Sequence, residues 1–423
     1  MSGPVAHTRD SIPERYRIAF YSHDGYGLGH FRRCLLLAQQ VQLHLDNIEI
    51  LIVTGSSRAR FYSLPARTSI VTLDAVTKDR DGNYVSRNEL MNITETLARR
   101  RETLRRSLTG FAPDLFIVDH VPTGLRGELL PLMPDLKAQG TQIVIGLRDV
   151  IDEAEKVQKN WKFDGCFKLV ESFFDHVWVY GNKHIFDLGE MYDLSENTRE
   201  RIDYLGYLRR SVHQTGPENL FSASFVSRTK KPHIVCVSGG GEDGLPLGNR
   251  FLEVLRNAPD TLQGTLITGP FLSRTDSRTL AGCFGSLQNA QILRFTTHLE
   301  EHLRTADLIV TMGGYNALME ALSCQKPIIA VPRVSPRKEQ WLRSSKFAEL
   351  GLIRCLDPSQ LDNEKLAFAI HEELARSNLP TPEECGLGMD GVGNFLARIE
   401  KLREQYFVKR KDHPVGKSDL IRA

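Results

Sequence analysis

Short apolar runs that end on glycine turns and lead into helices constrain this chain more than any other feature. Leu308–Met312 has the length and composition of a strand buried on both faces. Gly313 and Gly314 follow at once, where the backbone must turn tightly and leave room for something to approach it. Asn316 is placed to cap a helix over Ala317–Ser323, with Leu318, Ala321 and Leu322 on one face. Lys326–Val331 reads as the next buried strand, closed by Pro332. Such a turn admits two readings. In one it is an ordinary βαβ connection, with Glu320 a solvated helix residue. In the other, N–H groups at the positive end of the helix form a phosphate cradle, and Glu320 accepts hydrogen bonds from vicinal hydroxyls such as those of a ribose. A short glycine motif alone does not choose between them.

The pattern recurs. His233–Val237 runs into Ser238-Gly239-Gly240-Gly241 and then a helix over Asn249–Asn257. Arg17–Ser22 runs into Gly25-Tyr26-Gly27-Leu28-Gly29-His30 and a helix over Phe31–Leu45. Between these, strands are expected at Ile48–Val53, Ser69–Leu73, Leu115–Val118, Gln142–Leu147, Phe174–Tyr180 and Ile202–Leu205, and a helix at Leu90–Leu108. Further strands are expected at Leu262–Thr268 and around Ala290–Phe295. This alternation predicts α/β architecture with parallel, doubly wound sheets. Polar pairs at strand ends, Asp119-His120 and Arg148-Asp149 among them, mark the crevice where such sheets bind ligands.

A chain of 423 residues is too long for one ordinary core. The polar, irregular stretch from Gln214 to Pro232 divides it into two facing Rossmann-like domains, 1–213 and 233–400. The remainder, 401–423, reads as a helix crossing back to the first domain and a basic tail. Two glycine turns on the second sheet suit a diphosphate with an attached sugar or nucleoside. An NAD site is disfavoured, because the second strand ends at Thr54-Gly55 with no acidic residue for the ribose.

The net charge of +2 gives no reason to expect nucleic acid as a partner. Seven scattered cysteines without a Cys-x-x-Cys pair, a polar leader and the lack of a long apolar run predict a cytoplasmic protein without disulfides or a zinc scaffold. Asp79-Arg80-Asp81 has the form of a metal-holding Asp-x-Asp but lies in a polar turn typical of a solvated loop. Arg99-Arg100-Arg101 with Arg105 and Arg106 makes a basic helix, read as a solvated face, with peripheral membrane contact the minority alternative. His30 follows the first glycine loop at a helix start, where the dipole would keep it neutral and able to act as a base.

Gly27-Leu28-Gly29-His30, Ser238-Gly239-Gly240-Gly241 and Gly313-Gly314-Tyr315-Asn316 with Glu320, followed by Pro327, Val331-Pro332 and Glu339-Gln340, resemble the two-domain GT-B glycosyltransferases. The likeness is strongest to the group containing the N-acetylglucosaminyltransferase of peptidoglycan's lipid-linked disaccharide. Tyr21-Ser22-His23-Asp24, the Asp114–Asp119 block and Gly146-Leu147-Arg148-Asp149 are similar to bacterial proteins known only as predicted glycosyltransferases.

The resemblance implies a UDP-sugar donor, UDP-N-acetylglucosamine foremost, in the second domain, with no cofactor and no metal. Gly27, Gly29, Ser238, Gly240, Gly241 and the Gly313–Asn316 turn would serve the donor. Glu320 would hold the ribose, Glu339 and Gln340 the sugar, and the backbone about His298 the base. Arg209 would steady the leaving diphosphate, and His30 would act on an unidentified acceptor hydroxyl. The acceptor-side sequence departs from the peptidoglycan enzyme beyond the first glycine loop, so that acceptor is not implied. Gly27–Leu35 is also similar to a nucleotide-sugar hydrolase, which leaves hydrolysis, or binding without catalysis, as alternatives.

Overall fold

A computed structural model describes residues 15–23, 29–78, 83–209, 231–241, 243–296 and 298–412. Gly27, Asp79-Arg80-Asp81 and most of the expected linker lie outside them.

Two parallel sheets face each other. The first contains β1 (Tyr16–Ser22), β2 (Ile48–Thr54), β3 (Thr68–Thr72), β6 (Leu115–Asp119), β7 (Gln142–Arg148), β8 (His176–Tyr180) and β9 (Ile202–Tyr204), in the order β3-β2-β1-β6-β7-β8-β9. A small antiparallel pair, β4 (Val76–Lys78) and β5 (Tyr84–Ser86), stands apart from it. The second sheet contains β10 (His233–Val237), β11 (Gln263–Ile267), β12 (Ala290–Leu293), β13 (Leu308–Thr311), β14 (Ile328–Ala330) and β15 (Arg354–Cys355), in the order β12-β11-β10-β13-β14-β15. In each sheet the chain builds outward from its first strand, then returns to that strand's other side. The order therefore reverses between β1 and β6, and again between β10 and β13. A crevice opens at the C-terminal ends of strands where the order reverses.

Alternation along the strands explains the layers. Ile18 and Phe20 of β1 face one apolar cluster, and Ala19 and Tyr21 face another. Helix α1 (Gly29–His44) follows β1 and buries Phe31, Cys34, Leu35 and Ala38. Helix α2 (Ile93–Phe111) is started by a capping box between Asn92 and Glu95. Its buried stripe is Thr96, Arg100, Leu104 and Leu108; Arg99, Arg101, Arg105 and Arg106 are exposed, as a solvated face requires, and Arg100 alone of the five departs from that expectation. Arg100 is fully buried and donates twice, at 2.7 Å, to Glu128, which also accepts from the Tyr21 hydroxyl. Arg99 and Arg105 pair with Asp74 and Glu102 at the surface.

In the second domain the chain passes through α3 (Leu245–Asn257), α4 (Tyr315–Ser323) and α5 (Glu339–Glu349) to a last helix, α6 (Gly391–Asp412). Helix α6 starts ten residues before the expected Lys401 and already packs on the first domain in its first turns. Phe395 meets Phe20 and Trp178, Arg398 pairs with Asp203, and Tyr406 lies edge-on to Tyr16. The outgoing chain at 206–208 and the returning chain at 388–391 are hydrogen-bonded side by side. The Tyr207 amide donates to the Gly388 carbonyl at 2.7 Å and the Gly391 amide to the Tyr207 carbonyl at 3.1 Å. One apolar cluster runs from the first sheet through α6 to Tyr315 and Phe347 of the second domain. Among the described residues no helix is long and apolar enough to cross a membrane.

Candidate active site

A cavity of about 1250 Å³, mouth included, lies between the two reversal points. The second domain supplies Ser238–Gly241 after β10 and Gly314–Asn316 after β13. Gly241 has φ +95°, and a Cβ there would sit 2.1 Å from the Thr268 carbonyl oxygen. Gly313 has φ +69°, and its Cβ would meet Ser344 Oγ at 2.3 Å. Both positions require glycine because the chain turns against a packed neighbour. Helix α4 starts two residues earlier than its sequence suggests. Its N-cap is Gly314, with no side-chain cap, so its first N–H groups remain available at the cavity wall. Asn316 is not that cap. Its Nδ2 instead donates to the Gly29 carbonyl at 2.8 Å, tying the two glycine turns together across the cleft.

The first domain supplies a histidine held by a carboxylate. His30, on the first turn of α1, lines the cavity, and its Nδ1 lies 2.5 Å from Oδ2 of Asp119, the last residue of β6. Arg33 binds the same carboxylate at 2.7 and 2.8 Å. Burial opposes ionisation of Asp119, but Arg33 and His30 override it and hold the carboxyl below its usual range. An ionised Asp119, which can only accept, lies 2.5 Å from Nδ1 and makes it the protonated nitrogen, leaving Nε2 as the basic one. His30 is held neutral, with its pKa lowered to about 4, chiefly by burial; Asp119 pulls it back upward and Arg33 adds to the lowering. The sequence expectation rested on the helix dipole, whereas burial is the largest cause of the lowering in the structure. His23 and His120 flank it, with ring centroids 4.9 and 5.2 Å away.

Other expected residues fall in several places. Gly29, Ser238, Gly240, Gly241, Gly314, Tyr315, Asn316 and Gln340 line the cavity. Tyr315 is anchored by its hydroxyl, which donates to the Tyr180 carbonyl at 2.8 Å, and Gln340 Oε1 accepts from the Arg333 amide at 3.0 Å. Gly313 shapes the turn behind them. Glu320 is buried, and Arg32 donates to it at 2.6 Å across the domain boundary, so it does not stand open for a ribose in this arrangement. Glu339 is buried and accepts from Arg333. His298 is 58% exposed beside Glu301 and does not line the cavity. Arg209 is not at the cavity either; it is half-exposed and lies 3.5 Å from Glu383. The cationic residues that do line it are Arg32, Arg33, Arg148 and Arg333. The pairs Asp119-His120 and Arg148-Asp149 were visible at strand ends, but their partners were not.

Residues 234–385 match the glycosyltransferase family 28 C-terminal domain. A Methanosarcina mazei protein described as an uncharacterized glycosyltransferase is 25% identical over 397 residues, spanning 89% of this chain and 96% of the relative. The chain is similar to glycosyltransferases over most of its length and has the GT-B fold. That relative is archaeal, so the similarity extends beyond the bacterial proteins suggested by sequence blocks. A Shouchella clausii UDP-N-acetylglucosamine--N-acetylmuramyl-(pentapeptide) pyrophosphoryl-undecaprenol N-acetylglucosamine transferase is 36% identical over 76 residues, 18% of this chain and 22% of that protein. The calicheamicin glycosyltransferase CalG4 superposes with a TM-score of 0.58 at 16% identity, covering 93% of this chain and 98% of that one. It shares the GT-B fold.

Proposed function

We propose that this glycosyltransferase moves a sugar from a UDP-sugar, UDP-N-acetylglucosamine foremost, to an acceptor hydroxyl with inversion and without a metal. The observation that carries the reading is the opposition across one cavity of the His30–Asp119 pair and the uncapped N-terminus of α4 with its glycine turns. His30 Nε2 takes the proton of the acceptor hydroxyl as its oxygen attacks the anomeric carbon, and Asp119 stabilises the imidazolium that forms. The bond from that carbon to the diphosphate oxygen breaks on the opposite face. The charge released on UDP meets the N–H groups of α4 and Arg333, which takes the part earlier assigned to Arg209. Similarity of the 76-residue segment to an enzyme named for UDP-N-acetylglucosamine supports that choice of donor.

The test is UDP release from UDP-N-acetylglucosamine and other nucleotide-sugars, with and without a panel of hydroxyl acceptors, with the product anomer read by NMR. Acceptor-dependent release with an inverted product is expected. Equal release without acceptor would replace transfer by hydrolysis. His30→Ala should lose turnover while keeping UDP affinity; retained turnover would remove the base assignment.

A further inference from the structure

The arginines of the cavity wall are not equivalent. Arg32 pairs with Glu320 at 2.6 Å, Arg33 with Asp119 at 2.7 Å, and Arg333 with Glu339 and Asp243 at 3.1 and 3.2 Å. Arg343, behind the wall, pairs with Asp149 at 2.6 Å. Arg148 has no carboxylate within 4.0 Å among the described residues, although it lines the same cavity. Its Nε is buried with no hydrogen-bond partner. Its Nη2 lies 3.0 Å from His120 Nε2. A guanidinium can only donate, so that nitrogen accepts, and a neutral imidazole orients Arg148 without cancelling its charge. His120 is itself held at φ +72°, a conformation rare for a residue with a side chain.

We propose that Arg148, oriented by His120, binds a carboxylate or phosphate on the acceptor and so selects anionic acceptors. The proposal rests on the transferase reading above. Burying an unpaired cation is costly, and a completed ion pair offsets the cost. A ligand anion entering the cavity can complete that pair. The wall from which Arg148 projects favours the acceptor over the donor as its source. Arg148 ends β7, His120 follows β6 and His30 opens α1, so all three belong to the first domain. The glycine turns and the N-terminus of α4 face them from the second. His120 also stacks on His30, which places the anion site next to the base. Burial, followed by Arg148, His30 and Arg337, holds His120 well below the usual imidazole range, so it remains the neutral acceptor that Arg148 requires. Burial also lowers Arg148, to about 10, with Glu339 pulling upward and Arg33, Arg343 and Arg337 pushing downward; it is still charged at neutral pH.

The experiment is thermal stability of the full chain in two arms. The first titrates UDP into wild type, Arg148→Met and Arg148→Lys. The second saturates each with UDP and adds inorganic phosphate, glucose 6-phosphate or glucose. The expected result is the same UDP affinity in all three proteins. Phosphate and glucose 6-phosphate should raise the melting temperature of wild type by a few degrees, of Arg148→Lys by less and of Arg148→Met not at all, with glucose inactive throughout. Weaker UDP binding by Arg148→Met would assign Arg148 to the donor diphosphate and overturn the proposal. So would anion stabilisation that is absent from wild type or equal in wild type and Arg148→Met. If Arg148→Met does not fold, Arg148→Lys carries the comparison, and stabilisation equal to wild type overturns the proposal. Failure of wild type to bind UDP would remove the donor reading, and the acceptor assignment with it.

Discussion

Asp149 and Arg343 form a fully buried ion pair across the domain boundary. Arg343 Nε donates to the Asp149 carboxylate at 2.9 and 3.0 Å and Nη2 at 2.6 Å, and neither side chain is exposed. Arg343 Nη1 also donates to the Gly313 carbonyl at 3.3 Å. One guanidinium therefore joins the end of the first sheet to the turn that opens α4. Removing one partner leaves the other charged and buried, which costs about 3–5 kcal/mol. Asp149→Asn and Arg343→Met should each lower stability by about that much, measured by denaturant unfolding. UDP affinity should fall as well, because the Gly313 turn loses its brace.

Asp119 fixes which nitrogen of His30 is basic. Asp119→Asn should reduce kcat by about 10²–10⁴-fold while changing the UDP dissociation constant little. Asp119 raises the His30 pKa, so its removal should move the acidic limb of the rate profile to lower pH. A kcat unchanged in Asp119→Asn would show that His30 needs no orienting partner.

Three neutral imidazoles in one cluster tie stability to pH. His30, His23 and His120 all have folded-state pKa values below the ordinary 6.5, with burial the largest cause in each. Below 6.5 the unfolded chain takes up protons that the folded protein refuses. The stability they contribute is present above 6.5 and lost as pH falls through the folded values, about 4 for His30. Unfolding free energy should therefore drop between pH 6.5 and 4, and His30→Gln should make that drop shallower in denaturant titrations at stepped pH.

Two glycines of the same loop should respond differently. Gly241→Ala places a methyl 2.1 Å from a backbone oxygen at positive φ, and should cost about 2–4 kcal/mol and abolish UDP binding. Gly239, at φ +63°, has open space around its would-be Cβ, so Gly239→Ala should cost only about 1–2 kcal/mol of backbone strain. Thermal melts of the two variants, with and without UDP, separate the cases.

What the sequence made legible were the strands and the turns, because both are local. His233–Val237 was placed to the residue, and the glycine turns fell at the ends of β10 and β13, where a tight turn requires them. Long-range partners left no such mark. Glu320 looks open on its helix, and only the fold brings Arg32 of α1 onto it. Arg100 sits in a run of arginines that reads as solvated, and only Glu128 beneath α2 explains its burial. Asn316 has the chemistry of an N-cap, but Gly314 reaches that position first and releases the amide to bridge the domains. Asp119-His120 and Arg148-Asp149 were visible as polar strand ends, yet which arginine of the cavity wall lacks a carboxylate among the described residues emerges only from three dimensions.

The side-by-side passage of 206–208 and 388–391 bears on how the cleft can move. The chain goes from the first domain to the second and returns to it, and both crossings meet at one hydrogen-bonded seam, where Leu208 also bridges Asp390. Other ties cross the boundary away from the seam, Arg343–Asp149, Arg32–Glu320 and Asn316–Gly29 among them, so a swing about the seam requires those contacts to part. The cavity would then widen most at the edge farthest from the seam, as a book opens from its spine.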